Sequence, residues 1–157
     1  MDTSELHPDF KELLNMLNEN GVEYLLVDAY AVGYYGLIRS TGDLDIWVPP
    51  DAANADKLVS VLRDFGAPAD ETTRRLLTQE DSLVNMGVEP VLVQFMTSAS
   101  GLNFQDCFAR REWGEIDEVY ANVICLEDLK KNKEASGRLK DLAHLEKLRK
   151  LRKKRDR

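Results

Sequence analysis

Long apolar runs are missing from this chain of 157 residues. Nothing in it approaches the roughly 18 to 20 consecutive apolar residues that a membrane-spanning helix needs, which argues against a membrane span. The N-terminal sequence MDTSELHPDF is acidic, whereas a secretory signal peptide combines a basic start with an apolar core. We therefore expect a cytoplasmic protein that has no membrane partner.

Cysteine is also scarce. The two cysteines, Cys107 and Cys125, lie in a predicted helix and a predicted strand, without the paired spacing of a zinc site. A protein in a reducing compartment rarely forms disulfides. We predict that both are reduced, buried thiols, so that neither a disulfide framework nor a zinc site defines the fold.

Charge is unevenly distributed along the chain. The net charge is −7, but residues 147–157 contain eight basic residues and one acid, which gives this tail +7 and leaves the remainder at −14. The acidic part argues against general binding of duplex nucleic acid. The basic tail could touch RNA, an acidic partner or the protein's own surface, although a solvated helix end is the simplest interpretation. With 43% apolar residues, we predict one domain over residues 1–146 and a basic helical tail over 147–157.

Hydrophobic periodicity predicts an α+β fold. It indicates a mixed, mostly antiparallel sheet, with helices packed on one face and a C-terminal helix over Gly137–Leu151 that closes a cleft. Helices are predicted over 4–20, over 29–38, from Asp51 to Gly66, over 72–77 and over 104–111. Strands are predicted over 24–27, 40–48 and 91–96, followed by a hairpin over 113–126.

Two acids two residues apart, Asp43 and Asp45, lie in the predicted strand over 40–48. Side chains alternate along a strand, so both carboxylates should project on one side. Adjacent anions repel, and Mg²⁺ with oxygen ligands is a natural compensating cation. Taken alone, such a pair is better explained as an exposed strand face with two unrelated acids, because short motifs match often by chance.

The residues around these acids resemble the nucleotidyltransferase superfamily, which has the polymerase-beta-like fold. The segment from Leu25 to Val48 looks most like a bacterial branch whose core reads V-G-G-x-A-x-x-x-H-G-x-x-R-x-T-x-D-x-D. The matching residues are Val27, Ala31, Gly36, Arg39, Thr41, Asp43 and Asp45. Two positions differ: Asp28-Ala29 replaces the paired small residues that approach the triphosphate in the family, and Tyr35 replaces the histidine.

A second segment, LEDLKKNKEASGRLKDLAHL over Leu126–Leu145, resembles the family pattern L-E-D-L-x-x-x-K-x-x-x-G-R-x-K-D-L-x-D-L. Lys133, Arg138, Lys140 and Asp141 match, whereas His144 stands at a usual aspartate. The resemblance implies that the cations bind phosphates and that Asp141 orients them or accepts a proton. Salt-bridged helices with i,i+4 pairs are the alternative explanation. The predicted strand over 91–96 and the following Thr97 align with R-I-D-L-L-T, which puts Gln94 at the third catalytic carboxylate and keeps the threonine.

The resemblance implies a nucleotidyltransferase that moves a nucleoside monophosphate from an NTP to RNA, protein or a small molecule. In this reading Asp43 and Asp45 bind Mg²⁺ or Mn²⁺ and act in catalysis with Asp141, while Arg39, Thr41, Lys133, Arg138 and Lys140 bind the nucleotide. The alternative is a catalytically degenerate binding module on the same fold, for example a toxin-antitoxin component with a protein partner. The intact run from Arg39 to Asp45 favours the enzyme, and Asp28 and Gln94 favour the module.

Overall fold

The structure is a computed structural model, and it describes residues 6–37, 42–88 and 91–155, with side chains through residue 150. Its helices are α1 (Pro8–Glu19), α2 (Asp28–Tyr34), α3 (Ala52–Phe65), α4 (Glu71–Leu76), α5 (Phe104–Ala109), α6 (Leu126–Ser136) and α7 (Leu139–Arg155). Its strands are β1 (Leu25–Leu26), β2 (Leu44–Trp47), β3 (Leu83–Met86), β4 (Val93–Met96), β5 (Glu112–Ile116) and β6 (Val119–Val123).

The strands form one mixed sheet in the order β3-β4-β2-β1-β6-β5. The pairs β1–β2, β3–β4 and β5–β6 are antiparallel, whereas β1–β6 and β2–β4 are parallel. The predicted α+β class and the mixed, mostly antiparallel sheet are confirmed. Strand β2 lies at the centre of the sheet beside β1 and contains Asp45, whereas Asp43 precedes it, so the prediction that both acids lie on one strand holds for Asp45 only.

Helix α3 shows how the sequence determines an element. Asp51 caps its first turn by accepting a hydrogen bond from the Ala53 backbone N–H at 3.2 Å, and Gly66 ends it with φ of 101°. The predicted apolar stripe is buried, and it comprises Ala55, Leu58, Val59, Val61 and Leu62. Helix α1 contacts both α3 and β6, so these two helices close one side of the core.

Both faces of the central strand are covered, so our expectation of helices on only one face is wrong there. All four residues of β2 are buried. Leu44 and Ile46 point to one face, and Asp45 and Trp47 point to the other. The Trp47 ring packs edge-on against Phe104 of α5, with ring centroids 5.2 Å apart. Asp45 is therefore held within a covered part of the sheet and not on an open strand face.

Both cysteines are free thiols, as predicted. Cys107 is fully buried, and burial raises its pKa to about 12. Cys125 is only partly buried, so the prediction of burial holds for one of the two. Among the helices that the structure describes, none combines the length and the apolarity needed to cross a membrane.

Candidate active site

Asp45 is the most unusual residue of the sheet. It lies in the middle of β2 and is only 6% exposed. Its Oδ1 atom is buried and accepts no hydrogen bond from any described residue. A buried carboxylate is normally hydrogen-bonded or paired with a cation, so an oxygen without such a partner indicates a place where something else binds.

The electrostatic environment of Asp45 disfavours its charged form. Burial is the main reason that its pKa rises from 3.8 to about 7, and the neighbouring carboxylates of Asp28 and Asp43 raise it further. The charges of Lys140 and Lys133 lower the pKa of Asp45, but by less than burial and the two carboxylates raise it. The fold thus places three carboxylates and two ammonium groups close enough to influence one another.

Asp28 enters this group from the start of α2. Its backbone has φ of 54°, a left-handed conformation that glycine adopts readily and that aspartate tolerates better than most residues. Its carboxylate accepts a hydrogen bond from Lys133 Nζ at 2.9 Å. The position that differs from the resembled family is therefore an ion-pair partner of the lysine expected to bind phosphate.

Lys133 and Asp141 form the buried part of the site. Lys133 is 2% exposed and Asp141 is fully buried, and Lys133 Nζ lies 3.0 Å from Asp141 Oδ1. Arg138 Nε and the Ser136 hydroxyl both donate to Asp141 Oδ2, the former at 2.6 Å. Burial alone would raise the pKa of Asp141, but hydrogen bonds from Ser136, Lys133 and Arg138 lower it to about 2.

The loop between α6 and α7 makes this arrangement possible. Gly137 ends α6 with φ of 67° and turns the chain so that α7 packs back against α6. Arg138 and Asp141 thereby come within reach of Lys133. Asp141 is fully engaged by donors, so it holds the cations in place and is a poor proton acceptor near neutral pH.

Three of the remaining differences from the family also have defined positions. Gln94 on β4 lies level with Asp45 on the adjacent strand. His144 on α7 is close to the buried ion pair, and burial followed by the Lys133 charge lowers its pKa. Tyr35 is part of the core, where its hydroxyl donates to the Ile124 carbonyl at 2.7 Å and links α2 to the end of β6.

The predicted site residues are brought together in part. The residues that converge come from β2, α6, α7 and the loop between these two helices, and they are Asp45, Lys133, Arg138, Lys140 and Asp141. Asp43 precedes β2 directly. The strand begins at Leu44, after Gly42 and Asp43, and residues 40–41 of the predicted strand lie outside the described residues. The predicted nucleotide-binding residues Arg39 and Thr41 lie outside the described residues.

Two polar interactions were not predicted from the sequence. Ser136 was not predicted as a partner of Asp141, although its position just before a helix-ending glycine is a possible signal. The fully buried Asp128 was not predicted to pair with Arg110, whose Nε and Nη2 lie 3.1 and 3.0 Å from the two carboxylate oxygens. This pair joins the end of α5 to α6, the helix that also carries Lys133.

Within residues 6–37, 42–88 and 91–155, no three His, Cys, Asp or Glu side chains are grouped so that they could hold a metal ion.

Comparisons of the chain with protein-family models and with curated proteins find no match.

Proposed function

We propose that the protein is a cytoplasmic, Mg²⁺-dependent nucleotidyltransferase that transfers a nucleoside monophosphate from an NTP to a hydroxyl group. One observation carries the proposal. The buried Asp45 carboxylate has an oxygen with no hydrogen-bond partner among the described residues, and it interacts electrostatically with two further carboxylates and with the cations of Lys133 and Lys140. Divalent cations and phosphates are the ligands that such adjacent acidic and basic groups attract.

The oxygen donors suit Mg²⁺. This ion prefers carboxylate oxygens, and proteins commonly bind it through one or two carboxylates while substrate phosphates complete its coordination. Asp43 and Asp45 would hold it. A site that depends on substrate oxygens needs no third protein ligand, which is compatible with Gln94 in place of an acid beside Asp45.

In the proposed reaction, the acceptor oxygen bonds to the α-phosphorus, the bond to the bridging oxygen breaks, and pyrophosphate leaves while the hydroxyl proton passes to solvent. A bound Mg²⁺ supplies charge neutralisation at the phosphates. Lys133 and Lys140 would bind phosphate oxygens. Asp141 would keep Lys133 in position, because its low pKa of about 2 makes it a poor base.

A binding module on the same fold is the second candidate. The ion pair between Asp28 and Lys133 favours it, since the Asp28 carboxylate is already bound to the lysine that a phosphate group would need. In this case the protein would bind nucleotide or a protein partner, for example as a toxin-antitoxin component, without chemistry.

The two candidates differ in how metal and nucleotide depend on each other. If substrate phosphates complete the metal site, Mg²⁺ alone should bind weakly, and a non-hydrolysable NTP should raise its affinity by about tenfold or more, with the reciprocal effect on the nucleotide. Titration calorimetry with each NTP analogue, with and without Mg²⁺, measures this coupling. Pyrophosphate release from the NTP that binds then tests for transfer.

The variant that carries Asp43→Asn and Asp45→Asn should lose the coupling. A variant with Glu12→Gln and Asp64→Asn is the matched control, because it makes the same change in charge at exposed positions on α1 and α3. Equal nucleotide binding with and without Mg²⁺ would contradict the enzyme and leave the binding module. Absence of any binding at millimolar nucleotide would contradict the proposed function altogether.

A further inference from the structure

We propose that the Asp28 carboxylate occupies the place of a phosphate group on Lys133 and neutralises this lysine. A divalent cation that binds at Asp45 attracts the Asp28 carboxylate away from Lys133, and a phosphate group can then bind the lysine. The inference rests on the proposed function, since it assumes that phosphate binds at Lys133. It adds an order of events: the cation binds first, and the phosphate chain follows.

The two carboxylates on Lys133 differ in accessibility. The Asp141 side chain is fully buried and also accepts hydrogen bonds from Arg138 and Ser136, so it cannot leave without stranding these donors. The Asp28 side chain is 29% exposed, and Lys133 is its only ion-pair partner among the described residues. Asp28 is therefore the outer partner, the one that a ligand can replace.

Lys133 has little capacity for another anion while Asp28 is in place. An ammonium group has three donors, and two of them point to Asp28 and Asp141, at 2.9 and 3.0 Å. The Lys133 side chain is only 3% exposed. A phosphate oxygen that is to bind this ammonium closely must take the place of the accessible carboxylate.

Asp28 also interacts electrostatically with a second group of the site, Asp45. Its carboxylate exerts the strongest charge effect of any group on Asp45, ahead of Asp43. The Oδ1 atom of Asp45 is buried without a hydrogen-bond partner in the described structure, which independently indicates a ligand there. A divalent cation at that oxygen would attract Asp28, because it offers two positive charges where Lys133 offers one.

The test uses inorganic tripolyphosphate, which presents the phosphates of an NTP without base or sugar. In the presence of a chelator, Asp28→Asn should bind it at least about tenfold more tightly than the wild type, because an anionic competitor for Lys133 is removed. Asp28→Gly serves as a second variant, because glycine fits the left-handed backbone. Titration calorimetry measures both affinities.

Asp81→Asn is the matched control. Asp81 is exposed and has φ of 57°, so this variant makes the same charge change at the same backbone conformation, away from the site. Its affinity for tripolyphosphate should equal that of the wild type. When Mn²⁺ replaces the chelator, binding should improve more in the wild type than in Asp28→Asn, because only the wild type has a carboxylate for the cation to move.

The outcomes separate this inference from the proposed function. If Asp28→Asn and Asp28→Gly bind tripolyphosphate no better than the wild type, while Mg²⁺ and NTP still bind cooperatively, then Asp28 does not block the site and only this inference fails. If tripolyphosphate binds to none of these proteins at millimolar concentration, with or without Mn²⁺, then Lys133 binds no phosphate and both fail.

Discussion

Asp45→Asn should stabilise the metal-free protein by about 2 to 4 kcal/mol at pH 8 and have little effect near pH 4. The wild-type carboxylate has a pKa of about 7 in the folded protein and an ordinary value of 3.8. Each pKa unit corresponds to about 1.4 kcal/mol. The pKa shift therefore sets an upper limit of about 4 kcal/mol for the amount by which the charged carboxylate destabilises the folded protein. Asparagine fits the same space without a charge.

The direction of the pH dependence follows from proton binding. Between pH 3.8 and 7 the folded protein holds the Asp45 proton more tightly than the unfolded chain does. Stability of the wild type therefore falls as pH rises through this window, and the loss is complete above about pH 7. The variant lacks this decrease, so its advantage grows with pH.

Denaturant unfolding at several pH values, with a chelator present, measures the difference in unfolding free energy. Asp81→Asn provides the control, because its carboxylate is exposed and its removal should change stability by less than about 0.5 kcal/mol at every pH. An Asp45→Asn effect that is independent of pH, or that destabilises at pH 8, would show that the Asp45 carboxylate is charged and well compensated in the folded protein.

Elements with a strong local signal could be predicted from the sequence. Helix α3 combines a capping aspartate, a clear apolar stripe and a terminal glycine, and it begins and ends where these signals lie. Strand ends were less accurate: of the described residues 42–48 in the strand predicted over 40–48, only Leu44–Trp47 form the strand. Gly42, Asp43 and Val48 belong to the predicted strand but lie outside it in the structure, so the sequence pattern does not locate the ends of the strand.

The ion pairs of the site lie beyond such local signals. Lys133 and Asp28 are 105 residues apart, and nothing in the periodicity of either segment specifies that they meet. Resemblance to a family suggested Lys133 as a phosphate ligand and Asp28 as a disturbance, but not that each is the other's partner. Asp141 was predicted near the cations, yet its low pKa arises from three donors whose arrangement depends on how α7 folds back on α6.

The buried group at the α6–α7 junction should dominate the stability of this region. We expect Asp141→Asn to destabilise the protein by about 3 to 5 kcal/mol at pH 7, because it removes the buried charge that compensates Lys133. At about 1.4 kcal/mol per pKa unit, the pH-dependent part of this effect is about 2.4 kcal/mol, and it should be lost as pH falls from about 4 through 2. A carboxylate with a lowered pKa contributes stability above its ordinary value of 3.8 and loses it as pH falls through about 2.

Chemical unfolding from pH 7 down to pH 2 tests this expectation. Glu146→Gln is the matched control: it neutralises an exposed acid on the same helix, 3.9 Å from Lys150, and should change stability by less than about 1 kcal/mol. The double variant Lys133→Met with Asp141→Leu should be less destabilised than Asp141→Asn alone. It removes both buried charges, and the remaining Asp28 carboxylate is accessible to water. If the double variant is instead the less stable of the two, the unpaired charge of Lys133 is not what makes the loss of Asp141 costly, and Arg138 and Ser136 must account for its contribution.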